Sequence, residues 1–177
     1  MKYLVVVDMQ NDFIDGALGT PEARAIVPRV AAKIKAHRGA VLCTQDTHGI
    51  DYMQTLEGQN LPVPHCVKPG NGWQLNAAVA KALESAQCPD DVAVFEKSAF
   101  GSVHLAQRLL AAPQNALEEV ELVGLCTDIC VVSNAVLLKS FLQGVPIAVD
   151  ASCCAGTSPA AHDSALETMR SCQIIIR

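Results

Sequence analysis

Tyr3 to Val7 is a near-continuous apolar run that stops at Asp8, and the pattern recurs along the chain. Ala40 to Thr44, Val92 to Phe95, Leu122 to Leu125, Pro146 to Val149 and Gln173 to Ile176 are comparable short segments. Apolarity without alternation is what a strand covered on both faces requires, and such strands belong to parallel sheets. Between these runs lie segments with helical spacing. Pro21 opens one whose Ala23, Ile26, Val27, Val30, Ala31 and Ile34 mark a single face before His37-Arg38-Gly39 closes it. Trp73 to Ala86, Ser102 to Ala111 and Ser158-Pro159 to Arg170 also read as helices. The expectation is an α/β fold with one domain over residues 1–177. It is a doubly wound, mostly parallel six-stranded sheet with helices on both faces, a Rossmann-like three-layer arrangement with right-handed crossovers.

Composition narrows the function classes. A chain of 177 residues can bury one sizeable core, and with 50% hydrophobic and 18% charged residues it is globular. A net charge of −5 with no basic run argues against nucleic acid or a membrane surface as partner. The N-terminal MKYLVVVDMQ has an acidic residue directly after its apolar run and no small-residue cleavage site, so it reads as a strand and not a signal peptide. Eight cysteines are scattered without paired metal spacing. Reduced thiols and a cytoplasmic location are therefore expected.

One stretch concentrates the chemistry. In Glu121 to Gly144 a strand-like run leads into Thr127-Asp128, a capping pair, and then into a helical pattern that Gly144 ends. Cys130 thus falls in the first turn of a helix, just past a strand's carboxyl end, where the helix dipole favours a thiolate. Asp8 and Lys97 end two other strands. Strand ends share one rim of a parallel sheet, so the three can meet. An ammonium beside the thiol favours the thiolate, and a carboxylate can take its proton and pass it to a leaving amine. The three side chains suffice for acyl transfer through a thioester. Asp46-Thr47-His48 lies on the same rim, and Glu57 and His65 follow in a long connection from Gly49 to Gly72. Phe13, Trp73 and Phe100 are candidates for an apolar pocket wall. His37, His104 and His162 fall in no motif and read as helix-surface residues.

VVDMQNDF, FEKSAF and VGLCTDICV resemble the three signatures of the isochorismatase-like cysteine hydrolases, which include nicotinamidases, and VDASCCAG resembles a further segment of that family. The resemblance implies a triad of Asp8, Lys97 and Cys130 with Cys130 as nucleophile. It also implies an oxyanion hole from the backbone amides of Cys126 and Cys130, and a cis peptide at Leu125–Cys126. Nicotinamidases bind a divalent metal through ligands that begin with Asp-x-His, which Asp46 and His48 match, and Glu57 and His65 can complete the set. Two imidazoles and two carboxylates suit Zn²⁺ first, with Mn²⁺ and Fe²⁺ as alternatives. Family nicotinamidases often carry His before the nucleophile, where this chain has Ile129. The expected enzyme is a homo-oligomeric amidohydrolase that cleaves a small, nicotinamide-like carboxamide and releases ammonia. One alternative is a metal-free hydrolase of another small amide, ureido compound or vinyl ether. The other is a non-catalytic thiol, metal-binding or redox-sensing protein that uses Cys126 and Cys130.

Overall fold

The computed structural model describes residues 1–88, 91–113 and 116–177. Six strands, β1 (Lys2–Val7), β2 (Ala40–Asp46), β3 (Val92–Lys97), β4 (Glu119–Leu125), β5 (Ile147–Ala155) and β6 (Ile175–Ile176), form one sheet. Their order is β3-β2-β1-β4-β5-β6, and every pairing is parallel. The helices are α1 (Asn11–Ile14), α2 (Pro21–Ala36), α3 (Leu56–Asn60), α4 (Ala77–Glu84), α5 (Val103–Leu110), α6 (Val132–Phe141) and α7 (Pro159–Ser171).

Alternation along β1 shows how the layers are built. Leu4 and Val6 pack with Ile26, Val30 and Ile34 of α2 and with Val79, Ala82 and Leu83 of α4. Tyr3, Val5 and Val7 pack on the other face with Leu105 and Leu109 of α5, Ala135 and Leu138 of α6, and Met169 of α7. Both faces of the sheet are buried, which is why the sequence shows apolar runs instead of alternation. Among the described residues, no helix is long and apolar enough to cross a membrane.

The chain winds outward from β1 to β3, then crosses back to place β4 on the other side of β1. The strand order therefore reverses between β1 and β4, and in open α/β sheets that crevice is where ligands bind. Two backbone features mark it. Asp8 takes a left-handed conformation, φ 46°, immediately after β1. Gly124 has φ 117°, and a side chain there would overlap the Val7 carbonyl, so glycine lets β1 and β4 approach closely just below the crevice.

Three elements differ from expectation. β5 does not stop at Val149 but continues to Ala155. Val149 pairs with Leu122 and Cys154 with Gly124, so β5 bulges between them. Asp150 sits in that bulge, where its carboxylate accepts from Ser152 and pairs with Lys33 of α2. The helix expected from Trp73 begins instead at Ala77, because the Asn76 side chain accepts from the Ala78 amide and caps it there. Thr127 and Asp128 do not cap a regular helix. Thr127–Val131 is a π-helical turn closed by the Val131 amide donating to the Cys126 carbonyl, and α6 follows it.

Candidate active site

The crevice brings together the three side chains that the strand ends predict. Lys97 Nζ lies 2.7 Å from Asp8 Oδ2 and 3.5 Å from Cys130 Sγ. Asp8 is fully buried, and its other oxygen accepts from the Thr44 hydroxyl at 2.6 Å. Among the described residues, Asp8 Oδ2 has no well-aligned hydrogen bond besides its ion pair. That leaves it a lone pair free for the proton of the neighbouring Cys130 thiol.

The electrostatics differ from the thiolate that the helix position alone suggests. Burial, then the Asp8 carboxylate, push the Cys130 thiol well above its ordinary value, and the nearby ammonium does not reverse this. Burial likewise raises the Asp8 carboxyl against the opposing pull of Lys97. Lys97 is held firmly protonated: burial alone would lower it, but the Asp8 and Asp46 carboxylates outweigh that. The resting arrangement is a buried ammonium between carboxylates with a protonated thiol alongside. A carboxyl of raised basicity next to a reluctant thiol is an acid–base partner for it.

Asp46 connects this group to a second one. Its Oδ1 lies 3.2 Å from Lys97 Nζ, while its Oδ2 lies 3.0 Å from His48 Nε2 and 3.6 Å from His65 Nε2. Glu57 Oε1 completes the cluster at 3.8 and 3.9 Å from the same two nitrogens. Burial would raise the Asp46 carboxyl, but His48, His65 and Lys97 hold it far below the usual carboxylate range. One potential ligand atom from each of the four residues lies within 4.8 Å of the others. The donor-to-donor distances bracket the edge of about 3.4 Å expected for a tetrahedron with bonds near 2.1 Å. The Val63 carbonyl holds His65 Nδ1 at 2.8 Å, which orients Nε2 into the cluster, as an outer partner does for a ligating histidine. Two imidazole nitrogens and two carboxylate oxygens thus fit a divalent ion.

A cavity of about 320 Å³ opens beside the thiol. Phe13, Phe100, Leu125, Cys126, Ile129 and Cys130 line it, with Asp46, Glu57 and His65 at one corner and Gly156 and Thr157 at another. Trp73, expected as a third aromatic wall, does not line it. Its indole donates to Thr47 Oγ1 at 2.9 Å, and its carbonyl accepts from both Gln10 and Gln45, so it braces the rim from outside.

Some side chains at the site were not singled out by their chemistry. Gln10, fully buried, clamps the Asp46 peptide: its amide nitrogen donates to the Asp46 carbonyl and its oxygen accepts from the Asp46 amide. Asp12 accepts from the Cys66 amide at 2.7 Å and so anchors the long connection that carries Glu57 and His65. Asn134 donates to the carbonyls of Cys130 and Phe100 and accepts from the Ser102 amide. His162 is not a bare surface residue, since its Nδ1 lies 2.8 Å from the hydroxyl of the fully buried Thr127.

The isochorismatase domain matches residues 2–177. The chain belongs to the isochorismatase family. Within that family it is 29% identical to the nicotinamidase/pyrazinamidase of Mycobacterium tuberculosis over 98% of this chain and 97% of the relative. Among solved structures it is similar to the pyrazinamidase of Pyrococcus horikoshii in complex with zinc. That likeness has TM-score 0.79 and 27% identity, covering 99% of this chain and 98% of that one. The pyrazinamidase/nicotinamidase of Streptococcus mutans matches with TM-score 0.84 and 26% identity over all of both chains. The isochorismatase fold of these neighbours is the six-stranded parallel sheet described above. The Leu125–Cys126 peptide in this family member is cis.

Proposed function

We propose that this isochorismatase-family protein hydrolyses a small ring carboxamide of the nicotinamide or pyrazinamide kind, with Cys130 as nucleophile. It is an amidohydrolase acting on carbon–nitrogen bonds. The observation that carries the mechanism is the contact of Lys97 with both Asp8, at 2.7 Å, and Cys130, at 3.5 Å, at the switch point of the sheet.

Asp8 takes the thiol proton as the sulfur of Cys130 attacks the amide carbonyl carbon. Lys97 steadies the negative charge as it passes between carboxylate and sulfur. The oxygen of the tetrahedral intermediate turns toward the backbone amides of Cys126 and Cys130, each such donor contributing roughly 2.7–4 kcal/mol to the transition state. The carbon–nitrogen bond breaks as Asp8 returns its proton to the nitrogen, and ammonia leaves. Water then attacks the thioester carbonyl while Asp8 accepts its proton. The carbon–sulfur bond breaks, and the acid is released as Cys130 recovers its thiol proton.

Phe13, Leu125 and Ile129 give the ring apolar contacts and keep bulk water from the thioester. Asp46, His48, Glu57 and His65 would hold the divalent ion, Zn²⁺ first among candidates. Such an ion offers a Lewis-acidic anchor for a ring nitrogen at that corner of the cavity. The zinc named for the pyrazinamidase structure and the fit of the four donors both support this reading.

The test is ammonia release from nicotinamide and pyrazinamide. Cys130→Ala should abolish it, whereas Cys43→Ala, Cys88→Ala and Cys172→Ala should retain most of the wild-type rate. Undiminished turnover by the Cys130 variant would sink the mechanism.

A further inference from the structure

The turn that carries Cys130 lacks a cap of its own. The residue just before it, Cys126, makes no side-chain capping bond. Asp128, one of the expected capping pair, instead directs both carboxylate oxygens to Thr157. Oδ1 accepts from the Thr157 amide at 2.9 Å and Oδ2 accepts from the Thr157 hydroxyl at 2.6 Å. Thr157 and Gly156 form the cavity corner beyond β5. Gly156 fits tightly under this clasp, because a side chain there would meet Asp128 Oδ1 and the His162 amide, both at 2.8 Å. Beside it the Thr127 hydroxyl pairs with His162 of α7. On the opposite side of the turn Asn134 ties the Cys130 carbonyl to Phe100, which also lines the cavity.

We infer that Asp128 is a positioning residue for the reaction: by clasping Thr157 it locks the nucleophile turn and one wall of the substrate cavity into a single rigid unit. Thr127 and His162 support the same junction. The role follows from geometry. The two-pronged carboxylate contact fixes both distance and rotation between the end of β5 and the turn after β4. Positioning of this kind is steep in its effect, since a displacement near 1 Å can cost about a hundredfold in rate. No charge is needed for it. An asparagine at 128 can accept from the Thr157 amide with its oxygen and donate to the Thr157 hydroxyl with its nitrogen. Thr157 is exposed, so its hydroxyl hydrogen can then turn to water.

The inference rests on the proposed amidohydrolase reading for its kinetic arm, and a second arm is independent of substrate. Asp128→Ala, Asp128→Asn and wild-type enzyme are compared for kcat and KM on nicotinamide and pyrazinamide. Hydrogen exchange is followed at the amides of 126–131 and 156–162 in the same proteins. Asp128→Ala should lower kcat by about ten- to a hundredfold, raise KM because the Thr157 wall loosens, and speed exchange in both segments. Asp128→Asn should stay within about twofold of wild type in rate and exchange. Equal loss in the Asn and Ala variants would assign the role to charge and overturn the inference, as would an Ala variant with unchanged kinetics and exchange. If Asp128→Ala does not fold, the Asn variant decides alone. If wild-type protein releases no ammonia, the functional reading fails while the exchange arm still decides the clasp.

Discussion

Lys97→Met removes the buried cation that touches Asp8, Asp46 and Cys130, and its cost can be worked from the distances. Charges 2.7 and 3.2 Å apart attract by roughly 6 and 5 kcal/mol at an effective dielectric of about 20. Burying the ammonium consumed several kcal/mol of that gain, so the pairs contribute little net stability. The variant, however, leaves two carboxylates facing each other without it, and breaking such a buried group costs about 3–5 kcal/mol. Uptake of a proton by Asp8, already raised by burial, places the expectation at the lower end of that range. With a urea slope of about 2 kcal/mol/M, the unfolding midpoint should fall by about 1.5 M, measured with chelator present in all samples. The double variant Asp8→Asn/Lys97→Met should recover half or more of this loss, because it removes the stranded charge together with its partner. A Lys97→Met protein with the wild-type midpoint, or a double variant less stable than the single one, would refute the reasoning.

Protein purified without chelator should contain about one divalent ion per chain by elemental analysis, and His65→Ala should reduce that content sharply; a wild-type chain that binds no added Zn²⁺ or Mn²⁺ would remove the ion from the proposed function. At the β5 bulge, burial would raise the Asp150 carboxyl, but the Lys33 ammonium and the Ser152 hydroxyl outweigh it and hold the group below its usual range. A depressed carboxyl stabilises the fold above its unfolded value of about 3.9 and loses that contribution as pH falls through the lower folded value. Asp150→Asn should therefore cost about 1 kcal/mol or less near neutrality and nothing in strong acid, and a pH-independent difference in urea midpoint would contradict this.

Much of this was legible because covered strands and amphipathic helices leave different signatures. The β1, β2, β3 and β4 runs were readable as apolar stretches ending in polar residues, and those ends are the site. Asp8, Lys97 and Cys130 meet because they occupy strand ends, which is a property of position and not of spacing. What escaped depends on contacts between distant segments. The continuation of β5 was hidden because Asp150 and Ser152 interrupt its apolarity, and only Lys33 from α2 explains an acidic residue there. Trp73 looked like a pocket wall because large aromatics usually are, yet its indole and carbonyl are both engaged with Thr47, Gln10 and Gln45. Asp128 carries a genuine capping signal, but its partner lies 29 residues away in the loop after β5. The push of burial on the Cys130 thiol is likewise outside a sequence reading: the helix terminus is local, while burial is a property of the whole fold.

The position of β4 also governs when the site can exist. In the sheet β1 lies between β2 and β4, so a chain emerging from its amino end can pair β1, β2 and β3 before β4 is available. In that half-built sheet Asp46 and Lys97 are already register neighbours, but the long edge of β1 stays open along Leu4, Val5, Val6 and Val7. An open apolar edge of that length is a template for pairing with another chain. Docking β4 there seals the edge, and the same event delivers Cys130 to Asp8 and Lys97. Closure of the hazard and completion of the nucleophile's surroundings are thus one step, so no form that lacks the β1–β4 pairing carries the finished triad.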